Sequence, residues 1–268
     1  MTIEASKNKI LIVCTTTSSL SSSTTSNPIE KISEKMSSES SARTGADVKE
    51  LAYIYHFLRQ QTSSTSNVTV AAPESTSIPF DPTSRKASEN DPIVKEFLQD
   101  TSAMQLFENP QTLDRINASE YSCVIFPGGP GCMFDLANTS TASALSKIVT
   151  TVYDKNEGTV AAIGHGLAAL INVSPHATST SSQRESWLKN RSVTCNTTEE
   201  EKDMQLDKAL PFLLEQKLKE IGAKFQKGDK FQSYVVVDER LITGQNRNSV
   251  KEWMETVLKE VKKTTKKQ

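Results

Sequence analysis

The sequence predicts an α/β fold built on a mainly parallel sheet, and three stretches carry that expectation. Residues 9–14 (KILIVC) and 121–126 (YSCVIF) are continuous apolar runs of strand length, the composition that strands buried on both faces need. Residues 47–60 place Val48, Leu51, Ala52, Ile54, Tyr55 and Leu58 on one helical stripe, between the first apolar run and a second at 68–71. Strand, helix and strand in that order give a parallel pair. In residues 159–170 (TVAAIGHGLAAL) an apolar run meets Gly164-His165-Gly166 and a second apolar run follows at once, so a strand turns sharply into a helix. Such a corner at the carboxyl end of a strand is where α/β folds place chemistry, because a helix N-terminus offers unpaired backbone N–H groups.

In chain order, 9–14 is a first, central strand. Residues 15–44 shift to Ser and Thr with scattered Glu and Lys and read as a mobile insertion, with Ile29, Ile32 and Met36 spaced for at most a short helix. Asp47 is placed to cap the first crossover helix. A polar loop at 62–67 leads to the strand at 68–71, closed by Pro73. Residues 78–86 (IPFDPTSRK) read as an extended, proline-marked loop, and 92–107 as one or two short helices. After the strand at 121–126 and the turn Pro127-Gly128-Gly129-Pro130-Gly131, a helix at 142–153 places Leu145, Ile148, Val149 and Val152 on one face. Beyond the corner come a polar loop (174–184), a short strand (192–195) and an acidic run (199–203) that begins or precedes a helix. A helix at 211–222 has Pro at its start and Gly at its end. Strands at 234–238 and 241–243 and a last helix from 249 to about 262 complete the chain, its lysine-rich end facing solvent.

The 268 residues, 36% hydrophobic and 24% charged, suit one sizeable domain spanning 1–268 with the Ser/Thr-rich insertion looped out. The formal net charge of -1 supplies no global field to draw nucleic acid or anionic lipid, so no direct nucleic-acid binding is expected. No apolar run nears the roughly 18 residues that span a bilayer, and 10–14 is too short for a signal-peptide core; the expectation is a cytoplasmic protein without membrane insertion. Cys14, Cys123, Cys132 and Cys195 are widely spaced with no C-x-x-C pair, so reduced, mostly buried thiols are expected rather than a zinc site or a disulfide framework. His56 and His176 lack metal-ligand spacing, and neither metal nor cofactor is expected.

Three stretches taken together, Thr44-Gly45 with Glu50, FPGGPGCMFDLA from Phe126, and AAIGHGLAAL from Ala161, resemble the DJ/PfpI superfamily. The resemblance extends through PFLLEQKLKEIGAKF and LITGQN, and so covers nearly the whole chain outside the Ser/Thr-rich segments. It implies a flavodoxin-like three-layer sandwich of the class I glutamine amidotransferase-like type. In the glyoxalase and chaperone branch the corner reads Cys-His-Gly, with cysteine as nucleophile and an acidic residue on the first helix. Here the cysteine position holds Gly164, while Glu50 matches the acidic position, and Gly129 matches the glycine whose N–H would face a substrate oxygen. Pro130 stands where that branch often has histidine.

The site residues expected from the resemblance are therefore the vestigial set Glu50, Gly129, Gly164 and His165, with no intact catalytic group. Gly164 reads as a residue at a tight turn that needs positive φ. His165 reads either as a packed, hydrogen-bonded histidine or as a proton donor. Glu50 reads as a carboxyl with a raised pKa or as an acceptor for backbone N–H groups of the elbow. The combination of the GHG corner with Ser186-Trp187 and VVVDERLITGQN is similar to one subgroup of the superfamily, whose corner also lacks cysteine. That similarity implies a homo-oligomer serving as scaffold or adaptor subunit of an endosome-associated Rab-effector complex linked to mRNA transport, peripheral on early endosomes. The alternative is an enzyme of the glyoxalase or deglycase type that uses Glu50 and His165 without a cysteine or recruits Cys132.

Overall fold

In the computed structural model, residues 9–20, 43–61, 67–175 and 185–267 are described. The strands are β1 (Lys9–Val13), β2 (Val68–Ala72), β3 (Gln111–Thr112), β4 (Tyr121–Phe126), β5 (Thr159–Ile163), β6 (Ser192–Val193), β7 (Lys224–Phe225), β8 (Val235–Asp238) and β9 (Leu241–Gly244). Seven of them form one sheet in the order β3-β2-β1-β4-β5-β9-β8, while β6 pairs with β7 apart from it. Every pair in the large sheet is parallel except β8 with β9. The helices are α1 (Val48–Gln61), α2 (Pro82–Ala87), α3 (Pro92–Gln99), α4 (Thr101–Glu108), α5 (Thr139–Thr150), α6 (Thr198–Asp203), α7 (Leu214–Glu220) and α8 (Val250–Lys267).

The apolar runs are buried on both faces, as their composition demands. Along β4, Val124 and Phe126 join one core while Cys123 and Ile125 join the other; along β5, Val160 and Ala162 face the first core, and Ala161 and Ile163 the second. A side-chain period of two thus feeds two separate cores. The first is closed by Leu145, Ile148 and Val149 of α5 and Leu214 and Leu218 of α7. The second is closed by Val48, Leu51 and Ile54 of α1, Phe97 of α3 and Trp253, Met254 and Val257 of α8. The result is the three-layer α/β sandwich expected, with all four cysteines free and buried.

Three local expectations change. Residues 82–87 are the helix α2, not extended loop: Pro82 sits in the first turn, where its missing N–H is no loss, and Asp81 Oδ1 caps it by accepting the Ser84 N–H at 2.7 Å. The helix expected at 211–222 starts only at Leu214, since Leu210 and Leu214 are both buried in the first core and the chain bends between them. The turn after β5 is a tight 3₁₀ segment, Gly164–Leu170, all of it buried. Elsewhere α5 starts three residues early, capped by Asn138 and ending in a π turn over Thr151–Lys155, and α8 runs on to Lys267.

Most of the 15–44 segment and its possible helix around Ile29, Ile32 and Met36, most of the 62–67 and 174–184 loops, and His176 lie outside the described residues. The ends of the 15–44 segment meet, with Ser19 and Arg43 forming an antiparallel bridge and Thr44 N–H donating to Ser18 O at 3.0 Å. The Asp135 carboxylate fixes the departing end by accepting from Thr15 Oγ1 (2.8 Å) and from the Thr16 and Thr17 N–H groups (2.7 and 3.2 Å). This segment therefore leaves and returns at the carboxyl end of β1, on the same edge as the corner after β5.

Trp253 anchors α8 on the sheet, fully buried and donating its indole N–H to Ile242 O at 3.1 Å. Trp253→Ala is expected to lower unfolding free energy by about 3–5 kcal/mol, the range for emptying a core of its largest side chain. Urea unfolding followed by far-UV circular dichroism measures it, and a loss below about 1 kcal/mol would show that α8 does not depend on this contact.

Candidate functional site

The corner lies at the carboxyl end of β5, between β4 and β9 in the middle of the sheet. Ile163 is extended (φ -133°, ψ 139°) and the next residue, Gly164, turns to φ 53°, the left-handed value expected there. A Cβ at Gly164 would lie 2.8 Å from Asn196 Oδ1 and 3.5 Å from Glu50 Oε1. The space over the glycine is thus faced by a carboxamide and a carboxyl. Asn196 precedes α6, and sequence reasoning did not single it out.

Glu50 enters from the first turn of α1. Asp47 caps that helix through Oδ1, which accepts the Lys49 and Glu50 N–H groups at 3.0 and 3.2 Å. Glu50 is 3% exposed, and its Oε2 accepts the Gly128 N–H at 2.6 Å. The N–H it holds thus belongs to the glycine turn after β4, not to the elbow. Burial pushes the Glu50 carboxyl well above the usual carboxylate range and the nearby Asp47 charge adds to this, against the Gly128 N–H, Arg247 and Lys49. Glu50 is thus a backbone acceptor, though for the glycine turn and not for the elbow, and its pKa is raised as well.

Gly129 has φ 114°, and a Cβ there would come within 2.2 Å of Gly45 O. The Thr44-Gly45 stretch crosses directly over it, fastened by the Asp47 N–H to Gly128 O bond at 2.9 Å. Residues more than eighty positions apart in the chain are held together here by a contact that only glycine permits.

His165 is buried, with Nε2 2.7 Å from Glu201 Oε1. The contact is an ion pair when the imidazole carries its proton, and Glu201 Oε2 is buried without a partner among the described residues. Burial works against the charged imidazole, but the Glu201 carboxylate, with Asp47, outweighs it and raises the His165 pKa above its ordinary value. Glu201 too was missed. The acidic run was read only as a helix beginning, yet Thr197 and Glu200 form a capping box, Thr197 N–H to Glu200 Oε2 at 2.7 Å and Glu200 N–H to Thr197 Oγ1 at 3.1 Å. The T-x-x-E spacing signals that box and so the inward turn of Glu200, but not that of Glu201. Glu200 Oε1 accepts further from Phe231 N–H (2.8 Å), Gln245 Nε2 (3.1 Å) and Asn246 Nδ2 (2.7 Å), which places the LITGQN stretch against the site.

Glu50, Gly129, His165 and Asn196 line a cavity of about 520 Å³, so three of the four vestigial residues meet on its wall, while Gly164 is not among the lining residues. Pro130 lies on its wall. Cys132 is fully buried and is not among the lining residues; its Sγ lies against Pro127 O at 3.5 Å, and burial, with Asp135 nearby, pushes its thiol well above the ordinary range. A thiol so placed is a poor nucleophile. Among the described residues no cluster of His, Cys, Asp and Glu is arranged to hold a metal, and no helix is long and apolar enough to cross a membrane.

A mainly parallel sheet with a glycine-bearing elbow after an interior strand, an acidic residue on the first helix and a histidine at the elbow is the architecture of the DJ-1/PfpI family. The chain belongs to that family, whose model matches residues 44–260. It is 31% identical over 219 residues to glutamine amidotransferase-like class 1 domain-containing protein 1 of Xenopus laevis, a match covering 81% of this chain and 87% of the relative. It is 30% identical over 166 residues to a protein of Schizosaccharomyces pombe named as a probable glutathione-independent glyoxalase, covering 60% of this chain and 61% of that protein. Among solved structures, the Rapid Encystment Protein of Francisella tularensis superposes with a TM-score of 0.78 at 28% identity, covering 95% of this chain and 99% of the other.

Two predictions follow from the geometry. Gly164→Ala is expected to destabilise through backbone strain of about 1–2 kcal/mol at a left-handed position and through the approach to Asn196. In an Asn196→Gly background the second part disappears, so urea unfolding of the four proteins of the cycle should give a coupling of about 0.5 kcal/mol or more. Equal costs in both backgrounds would show that Asn196 yields freely. For Glu50, a folded pKa above the unfolded value of about 4.3 means that its favourable contribution is full below that value and is lost as pH rises through the folded pKa. Glu50→Gln still accepts the Gly128 N–H and cannot ionise. It should match the parent near pH 4 and exceed it at high pH by about 1 kcal/mol or more, read from urea midpoints between pH 4 and 9; superimposable profiles would overturn the assignment.

Proposed function

We propose that the chain is a non-catalytic DJ-1/PfpI-family protein that works as a scaffold or adaptor subunit. The observation that carries this reading is Gly164. Covalent catalysis at an elbow needs a side-chain nucleophile in reach of a base. Here the elbow has no side chain, its space is faced by Asn196 and Glu50, and the thiol of Cys132 is buried elsewhere. The chain is similar to the Xenopus protein, which is named for a glutamine amidotransferase-like domain. On the resemblance of the GHG corner and the LITGQN stretch to that subgroup, the proposal extends to a cytoplasmic homo-oligomer within an endosome-associated Rab-effector complex linked to mRNA transport.

A second reading, a glyoxalase or deglycase acting on methylglyoxal or glycated groups without a cysteine, draws on a different observation. Glu50 and the ion-paired His165 both line the same cavity, and one relative is named for glyoxalase activity. Both carboxyl and imidazole could move protons, but the reaction would lack the covalent step that divides it.

One experiment separates the two. The purified protein is incubated with methylglyoxal while lactate is followed, beside Glu50→Gln, and the tagged protein is recovered from cytosol with whatever copurifies. No lactate above the uncatalysed rate, together with partner proteins recovered in fixed proportion, is the expected result. Robust turnover abolished by Glu50→Gln would replace the first reading with the second.

A further inference from the structure

Of the carboxylates around the cavity, one that lines it keeps an oxygen without a partner among the described residues; buried Glu201, behind His165, keeps another in Oε2. Asp47 has its cap bonds and the Arg247 guanidinium at 2.9 Å. Asp81 caps α2 and lies within 3.4 Å of Thr44 Oγ1. Glu200 takes four donors, and Glu201 has His165. Glu50 has the Gly128 N–H on Oε2 only. Its Oε1 has no hydrogen-bond or ion-pair partner among the described residues and faces the space over Gly164. The Asn196 side chain, 8% exposed, likewise has no hydrogen-bond partner among the described residues, and its Oδ1 faces the same space. Two oxygens therefore flank the space over the glycine, at 2.8 and 3.5 Å from where a Cβ would stand. Further out, Leu20, Met204, Leu206, Ala209 and Phe231 give the cavity an apolar wall.

We propose that this cavity is a binding site for a primary alkylammonium group, with the ammonium seated over Gly164 between Glu50 Oε1 and Asn196 Oδ1 and the alkyl chain lying along the Met204, Leu206 and Phe231 wall. A buried carboxyl without a cation is where a positive ligand gains most, provided that further acceptors share its protons. Asn196 supplies that second acceptor, and the absence of a side chain at Gly164 supplies the room. A carboxylate ligand would meet two acceptors, and an alcohol would bring no positive charge to favour the ionised form of Glu50. The group can come from a free amine or from the lysine side chain of another protein; the chemistry is shared. The inference rests on the non-catalytic reading in one respect, that the amine is held and not transformed.

The test is isothermal titration of the purified protein with n-hexylammonium chloride, with n-hexanol and sodium hexanoate as matched probes. Saturable one-to-one binding of the amine, at least tenfold tighter than either control, is expected, with the amine recovered unchanged by NMR. Glu50→Gln and Asn196→Ala should each weaken it tenfold or more while leaving the circular dichroism spectrum intact. Should either variant unfold, Leu206→Trp, which obstructs the apolar wall, should give the same loss. Nα-acetyl-lysine N-methylamide binding more tightly than hexylammonium would assign the group to a protein lysine, and the reverse order to a free amine; both support the site. Hexanol or hexanoate binding as tightly as the amine, or an affinity unmoved in Glu50→Gln or in Leu206→Trp, overturns it. Lactate formation from methylglyoxal would overturn the non-catalytic reading alone, since amine affinity is measured separately.

Discussion

The 2.6 Å contact between Glu50 Oε2 and the Gly128 N–H joins the start of α1 to the glycine turn after β4, and the rest of the site is arranged around it. It is made inside the protein, where an unpaired carboxyl or amide would be costly. Once it forms, Gly129 is brought under Gly45, Asp47 N–H reaches Gly128 O, and the elbow at Gly164 faces the other oxygen of the same carboxyl. The carboxyl ends of β1, β4 and β5 are tied together at one point, and the cavity is the space left between them.

Chemistry at this point in the fold depends on what stands at residue 164, and the backbone there explains why glycine is stable in the role. A left-handed φ of 53° is strained for any residue with a Cβ, and Asn196 lies close enough to resist one. A protein that uses a side chain at such an elbow keeps that strain for the sake of reactivity. Here the strain is absent, while the polar surroundings (Glu50, Asn196 and the His165–Glu201 pair) remain. A polar cavity with no side chain at the elbow is the feature on which the proposed non-catalytic role rests.

The sandwich and most of its elements were readable from apolar runs and helical stripes, because period two and period 3.6 are local properties of the chain. The misplaced elements, 82–87 and 211–213, fail for one reason: proline both starts helices and ends them, and which it does depends on the cap before it and the core behind it. Around the candidate site, Glu50, Gly129, Gly164 and His165 stand out in the sequence through their motifs. Glu201 and Asn196 were not, since nothing in an acidic run or a Cys-Asn-Thr-Thr stretch says which side chain turns inward.

The sequence by itself determined the alternation of strands and helices, the burial of the cysteines and the glycine at the elbow, since each follows from residue type and near neighbours. Only the tertiary structure decided that Glu201 pairs with His165, that Asn196 faces Gly164, and that Glu50 keeps one oxygen without a partner among the described residues. Those are contacts between segments far apart in the chain, and they are set by which strands lie side by side. No local pattern encodes that distance.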